Sequence, residues 1–130
     1  NAIRREGEEM SITSDLIRGH TDTIILSALM KGDNYGYKIN RMIFEMTSGS
    51  YELKEATLYT SFKRLEEAGC ISSYWGDEAT GARRRYYAIT PDGRNAYHSM
   101  MREWQEASGL LEKLMCFGAV EIDGGDAEQI

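Results

Sequence analysis

Apolar side chains recur along this chain with two different periods, and the change of period divides it. Leu16, Ile17, Ile24, Ile25, Ala28 and Leu29 return near helical spacing. Asp15 stands in front of them, where it would cap a helix running to about Met30. Gly32-Asp33-Asn34 is a turn. A second helix is predicted from Tyr35 to about Thr47, with Tyr35, Ile39, Met42, Ile43 and Met46 along one side and Ser48-Gly49-Ser50 at its end. The extended piece Tyr51-Glu52-Leu53 leads into a third helix from about Lys54 to Ala68. There Leu58, Phe62 and Leu65 follow the 4-then-3 spacing of a buried stripe, and Gly69 is the C-terminal stop.

Beyond Gly69 the period drops to two. Cys70 to Trp75 alternates about Ile71, Ser73 and Trp75, in residue types that favour strands. Asp77 to Gly81 is a polar, glycine-containing tip. Arg83 to Thr90 forms the returning strand, with Arg83, Arg85, Tyr87 and Ile89 on one face and Arg84, Tyr86 and Ala88 on the other. Thr90-Pro91 then starts a fourth helix, a hydroxyl cap followed by proline at the first helical position. This helix is expected to reach Cys116. Its positions Tyr97, Met101, Trp104, Ser108, Leu111 and Met115 step by four and three, the rhythm of a helix–helix seam interrupted by one serine. Three helices, a hairpin and a long helix predict a mainly α (α+β) fold, a winged helix-turn-helix with a long C-terminal dimerisation helix. Residues 1–14 read as a flexible segment, 15–90 as the winged unit, 91–116 as the dimerisation helix and 117–130 as an acidic, disordered tail. A small α+β domain of another topology has the same order of elements.

Charge changes the picture only when it is located. The 130 residues carry 15 basic and 21 acidic side chains, a net charge of −6 that argues against nucleic acid at first sight. Glu121, Asp123, Asp126 and Glu128 all fall in the tail, which has no base, so the rest of the chain is close to neutral. Within it, Arg83-Arg84-Arg85 is the densest basic cluster, and a local basic stripe is what binds phosphates. The longest apolar run, Ile24 to Met30, contains a serine and is far shorter than a membrane span. Arg4-Arg5 is followed by acids rather than by an apolar run, so no secretory signal is expected. Cys70 and Cys116 make neither a Cys-x-x-Cys pair nor a zinc spacing and read as reduced thiols of a cytoplasmic protein. His20 and His98 have no partners at metal or triad spacing, and no phosphate loop or nucleophile motif is present. No enzyme, metal or cofactor is expected.

Two segments carry candidate chemistry. The third helix presents Lys54, Thr57, Tyr59, Thr60, Ser61, Lys63 and Arg64 away from its apolar stripe; hydroxyls and bases of this kind reach phosphates and base edges in a major groove. Read blandly, this is a solvated helix face. Arg83, Arg84 and Arg85 on the hairpin, interleaved with tyrosines and near Tyr74-Trp75, suit a phosphate backbone; the bland reading is protection of an edge strand by charge. The fourth helix is about 39 Å long at 26 residues, more than the small unit can cover, and an identical helix from a second chain is the economical partner. Tyr97, Met101, Trp104, Leu111 and Met115 are its expected contacts.

Three motifs together resemble one family. Tyr35-Gly36-Tyr37, then Ala56-Thr57-Leu58-Tyr59 with Phe62, Arg64-Leu65-Glu66, Gly69 and Ile71, then Arg84-Arg85-Tyr86-Tyr87 with Ile89-Thr90 and Gly93, are similar in order and spacing to the PadR family of transcriptional regulators. Thr60 stands where many members have proline, and Phe62 where many have leucine. The run Ile71 to Glu78 and the single helix after the hairpin resemble the short members, above all the multidrug-responsive repressors. The resemblance implies a homodimeric repressor on palindromic double-stranded DNA. It also implies a planar aromatic effector stacked on Trp104 between the last helices, with Met101 and Ser108 beside it. The competing expectation is a winged-helix sensor or interaction module that does not bind an operator.

Overall fold

Helix α1 (Thr21–Met30) is preceded by a separate helical segment at residues 13–18, so the single helix expected from Asp15 is broken at Gly19-His20. The cause is local. The Thr21 hydroxyl donates to the Arg18 carbonyl at 2.7 Å, and the His20 N–H reaches only three residues back, to Ile17. Glycine adds little helix propensity at the break. Asp15 lies inside the first segment and pairs with Arg18 at 2.6 Å instead of capping. The computed structural model describes residues 13–76 and 83–120. The expectations for the N-terminal segment up to residue 12, for the hairpin tip and for the chain after Val120 lie outside the described residues.

A two-residue strand β1 (Asn34–Tyr35) follows where a turn is expected, then helices α2 (Gly36–Met46) and α3 (Glu55–Glu67), strands β2 (Ile71–Trp75) and β3 (Arg85–Ile89), and helix α4 (Pro91–Val120). The three strands form an antiparallel sheet in the order β1-β3-β2. The β2–β3 register sets Ile71 opposite Ile89, Ser73 opposite Tyr87 and Trp75 opposite Arg85. Between α2 and α3 the extended residues find no strand partner. The Asn40 amide serves them instead, donating to the Leu53 carbonyl at 2.7 Å and accepting from the Leu53 N–H at 2.8 Å.

The chain divides into two compact units, residues 1–97 and 98–130. The core of the first gathers Ile25, Leu26 and Leu29 of α1, Ile39 and Ile43 of α2, Leu58, Phe62 and Leu65 of α3, and Ile71 and Tyr87 of the sheet. Phe62 stacks on Tyr87 with ring centroids 3.9 Å apart, which fastens α3 to the sheet. Met46, expected on the buried side of α2, is 80% exposed, because the helix ends there and the chain reverses through Ser48 (φ 53°) and Gly49 (φ 80°). The stop at Gly69 is a left-handed cap at φ 79°, with the Cys70 N–H donating to the Leu65 carbonyl and the Gly69 N–H to the Glu66 carbonyl. Thr90 caps α4 by accepting from the Gly93 N–H at 3.0 Å, and its hydroxyl donates to the Gly69 carbonyl at 2.7 Å. Helix α4 continues past Cys116 to Val120, so the first residues of the expected tail are helical.

Candidate nucleic-acid interface

Helix α3 buries Leu58, Ser61, Phe62 and Leu65 and turns Ala56, Tyr59, Thr60, Lys63 and Arg64 outward. Thr57 is half-buried, and Lys54 is exposed at the entry to the helix. Two of the expected contacts change character. Ser61 is 1% exposed and accepts a bond from Arg64 at 3.0 Å, so it belongs to the interior and not to the outer face. Its place three residues after Leu58 and four before Leu65 was the available signal. Arg64 is held by Asp22 of α1: Nε lies 3.0 Å from one carboxylate oxygen and Nη2 2.6 Å from the other. That bond to Asp22 also holds the Arg64 guanidinium more firmly protonated than usual. An exposed pair of this kind contributes about 0.2–1 kcal/mol and fixes how α3 lies against α1.

Tyr59 is 44% exposed, but its hydroxyl lies over Gly36 at the start of α2, where a Cβ would come within 2.6 Å of it. A glycine at position 36 is what lets the α3 tyrosine close on α2. Thr60 and Lys63 are left as the outward polar side chains of the helix centre, with no side-chain bond to another of the described residues.

On the hairpin the pleat sends the three arginines to opposite faces. Arg83 and Arg85 lie over the Trp75 ring, 5.1 and 5.6 Å from its centroid, and Arg84 over Tyr35, at 4.7 Å. Arg85 also donates to the Ser73 hydroxyl at 2.7 Å and lies 3.9 Å from Glu66 of α3. The Ser73 hydroxyl in turn donates to Glu66 at 2.7 Å. On the other face Tyr35 meets Tyr86 edge-on and Tyr86 stacks on Tyr74. The Tyr74 hydroxyl donates to Asp33 at 2.7 Å, a bond that holds its proton and raises its pKa. Tyr35, Tyr74, Tyr86, Asp33 and Glu66 thus brace the wing, a role that no periodicity reveals. Among the described residues no group of histidines, cysteines and acids could hold a metal ion, and no helix is long and apolar enough to cross a membrane.

In the second unit, α4 carries Trp104 at 45% exposure, with Leu111, Leu114 and Met115 also exposed; Met101 and Ser108 are half-buried.

The order of these elements, α3 beside an arginine-bearing hairpin, agrees with a sequence profile. The profile of the transcriptional regulator PadR-like family matches residues 25–99, more than half of the chain. The chain belongs to that family. As a PadR-like protein it is a transcriptional regulator and not an enzyme. It is 41% identical over 104 residues to an uncharacterized protein of Lysinibacillus sphaericus, across 80% of this chain and 95% of that one. The structure of a transcriptional regulator from Clostridium thermocellum superposes with a TM-score of 0.71 at 48% identity, covering 77% of this PadR-like chain and 94% of its own. PadR of Bacillus subtilis, solved in complex with operator DNA, matches at 25% identity with a TM-score of 0.56, over 62% of this chain and 45% of that one. The fold is a winged helix-turn-helix followed by a long C-terminal helix.

Proposed function

We propose that this PadR-like regulator is a homodimeric repressor of a palindromic operator. Each α3 enters a major groove with Tyr59, Thr60 and Lys63, while Lys54 and the half-buried Thr57 lie at the margin of the contact. Each wing sets Arg83 and Arg84 against flanking phosphates, and Arg85 adds charge from its anchored position. Arg64 orients the helix through Asp22. The observation that carries this reading is the outward face of α3 in one unit with a hairpin bearing three arginines. The operator complex of Bacillus subtilis PadR supports it. The sensor without operator binding is disfavoured by the same basic hairpin. Two-fold symmetry places half-sites about 10 bp apart. Selection of duplexes from a random pool tests the reading: an enriched palindrome is expected, and a pool that stays random defeats it.

The boundaries that go with this reading are a winged unit at 15–90 and a dimerisation helix from Pro91, reaching Val120. Exposed Leu111, Leu114 and Met115 on a helix of 30 residues, about 45 Å long, favour a second copy as partner, with Tyr97 and Met101 on the same stripe. Trp104, with Met101 and Ser108 beside it, is the stacking surface for a planar hydrophobic effector, as in the multidrug-responsive branch. Titration calorimetry with an acridine-type dye should give one ligand per dimer for the native protein and no tight binding for Trp104→Ala. Two independent sites, or full affinity in the variant, would leave Trp104 as a packing residue. An effector acts only through unequal affinity for two dimer geometries.

A further inference from the structure

The wing holds a large aromatic side chain that its core does not use. Trp75 is 52% exposed at the end of β2, outside the buried cluster around Phe62 and Tyr87. The register sets it directly opposite Arg85. The ladder continues one step further, with the Gly76 N–H donating to the Arg84 carbonyl at 2.7 Å, so Arg83 falls on the same face as Arg85 and diagonal to the indole. Both guanidinium carbons lie within 6 Å of the ring centroid, at 5.1 Å for Arg83 and 5.6 Å for Arg85. That is the range in which a cation is attracted to the negative face of an indole.

A guanidinium carries five N–H donors in one plane, more than a contact with a single ring takes up. The two arginines then differ. The edge of Arg85 is turned to the body of the protein, on Ser73 with Glu66 close by. Arg83 meets the indole, and among the described residues no hydrogen bond or ion pair takes up its donors. A free arginine loses much rotamer freedom when it docks on a phosphate. One already held on an indole has taken part of that loss before the duplex arrives.

We propose that Trp75 is a positioning residue for DNA binding, holding the guanidinium of Arg83 on the wing in the geometry that meets a phosphate, with Arg85 as the second, anchored cation on the same ring. The inference rests on the DNA-binding reading above. Trp75 touches no phosphate itself; it acts through the arginines.

The test compares Trp75→Leu, which removes the π face, with Trp75→Phe, which keeps one. Anisotropy of a fluorescein-labelled duplex of mixed sequence, titrated at several KCl concentrations, reads affinity and salt slope together. Trp75→Leu should weaken binding about three- to tenfold with an unchanged slope. Trp75→Phe should stay close to the native protein. Arg83→Ala should weaken binding and also lower the slope by about 0.9, because a phosphate contact is lost. Proton NMR of the DNA-free protein supplies a readout independent of DNA: the Arg83 side-chain methylene protons should be shifted upfield by the indole and return to ordinary positions in Trp75→Leu. The proposal is overturned by native affinity in Trp75→Leu, by equal losses in the Leu and Phe variants, or by unshifted Arg83 protons. Failure of the native protein itself to bind the duplex in a salt-dependent way sinks the DNA-binding reading and this inference with it. Native binding with an unaffected Leu variant sinks the positioning role alone.

Discussion

Gly93 shows how narrowly one residue can be constrained. A Cβ there would overlap the Cys70 carbonyl oxygen and come within 2.8 Å of the Ile89 side chain. The obstacle is backbone, which cannot rotate away. The Gly93 N–H is also the donor to the Thr90 cap. Gly93→Ala should therefore lose about 1–3 kcal/mol, at the cost of overpacking, read as a lower urea midpoint with an unchanged slope. The cysteines make a second contrast. Burial first, then the charges of Asp92 and Asp22, push the Cys70 thiol above its ordinary range, while Cys116 is exposed on α4. A raised pKa leaves less thiolate at any given pH, and the thiolate is the reactive form. In a disulfide-exchange assay at neutral pH, Cys116 should react first and Cys70 much more slowly. Equal rates would mean that burial does not protect the Cys70 thiol.

Helix α3 and the wing act as elements rather than as collections of charges. The Asp22 pair holds α3 to α1, and the Phe62–Tyr87 stack holds it to the sheet. The wing is braced from both faces, by Trp75 on one and by the tyrosines and Asp33 on the other. A rigid wing presents its arginines as a unit, and phosphates are read without regard to sequence. Arg83→Ala combined with Arg84→Ala should weaken binding to all duplexes alike and flatten the dependence of log affinity on log salt by up to about 1.8. A slope equal to the native one would remove the wing from phosphate contact and leave its arginines as partners of Trp75 and Tyr35 only.

The whole molecule consists of a packed winged unit and a long helix whose second part, from His98, forms a unit of its own. Leu110, Leu111, Leu114, Met115 and Phe117 are each about half exposed or more on a single chain. Burying such a stripe against its own copy is the assembly that closes on itself. Leu111→Asp places a charge in that seam, where its desolvation would not be repaid. Sedimentation velocity at micromolar concentration should show the native protein as a dimer and the variant largely as a monomer. A variant that still sediments wholly as a dimer would move the main interface away from Leu111.

Local periodicity and end signals made most of the fold legible. Leu58, Phe62 and Leu65 specify the buried side of α3, Gly69 its end, Thr90-Pro91 the start of α4, and the alternation about Ile71 and Tyr87 the inner face of the hairpin. Each is a choice made within a few residues, so the chain order alone carries it. The break at Gly19, the two-residue strand β1 and the clamp of Asn40 on Leu53 did not show, because they are too short to have a period or depend on a distant partner. The candidate interface divides in the same way. Lys63 and Arg64 are adjacent bases that look equivalent in the sequence; only packing brings Asp22, 42 residues away, against one of them. Three consecutive arginines likewise look alike until the register assigns Arg83 and Arg85 to Trp75 and Arg84 to Tyr35. A period tells which side of an element turns inward. What meets a given side chain there is decided by contacts between segments far apart in the chain, and those exist only once the chain has folded.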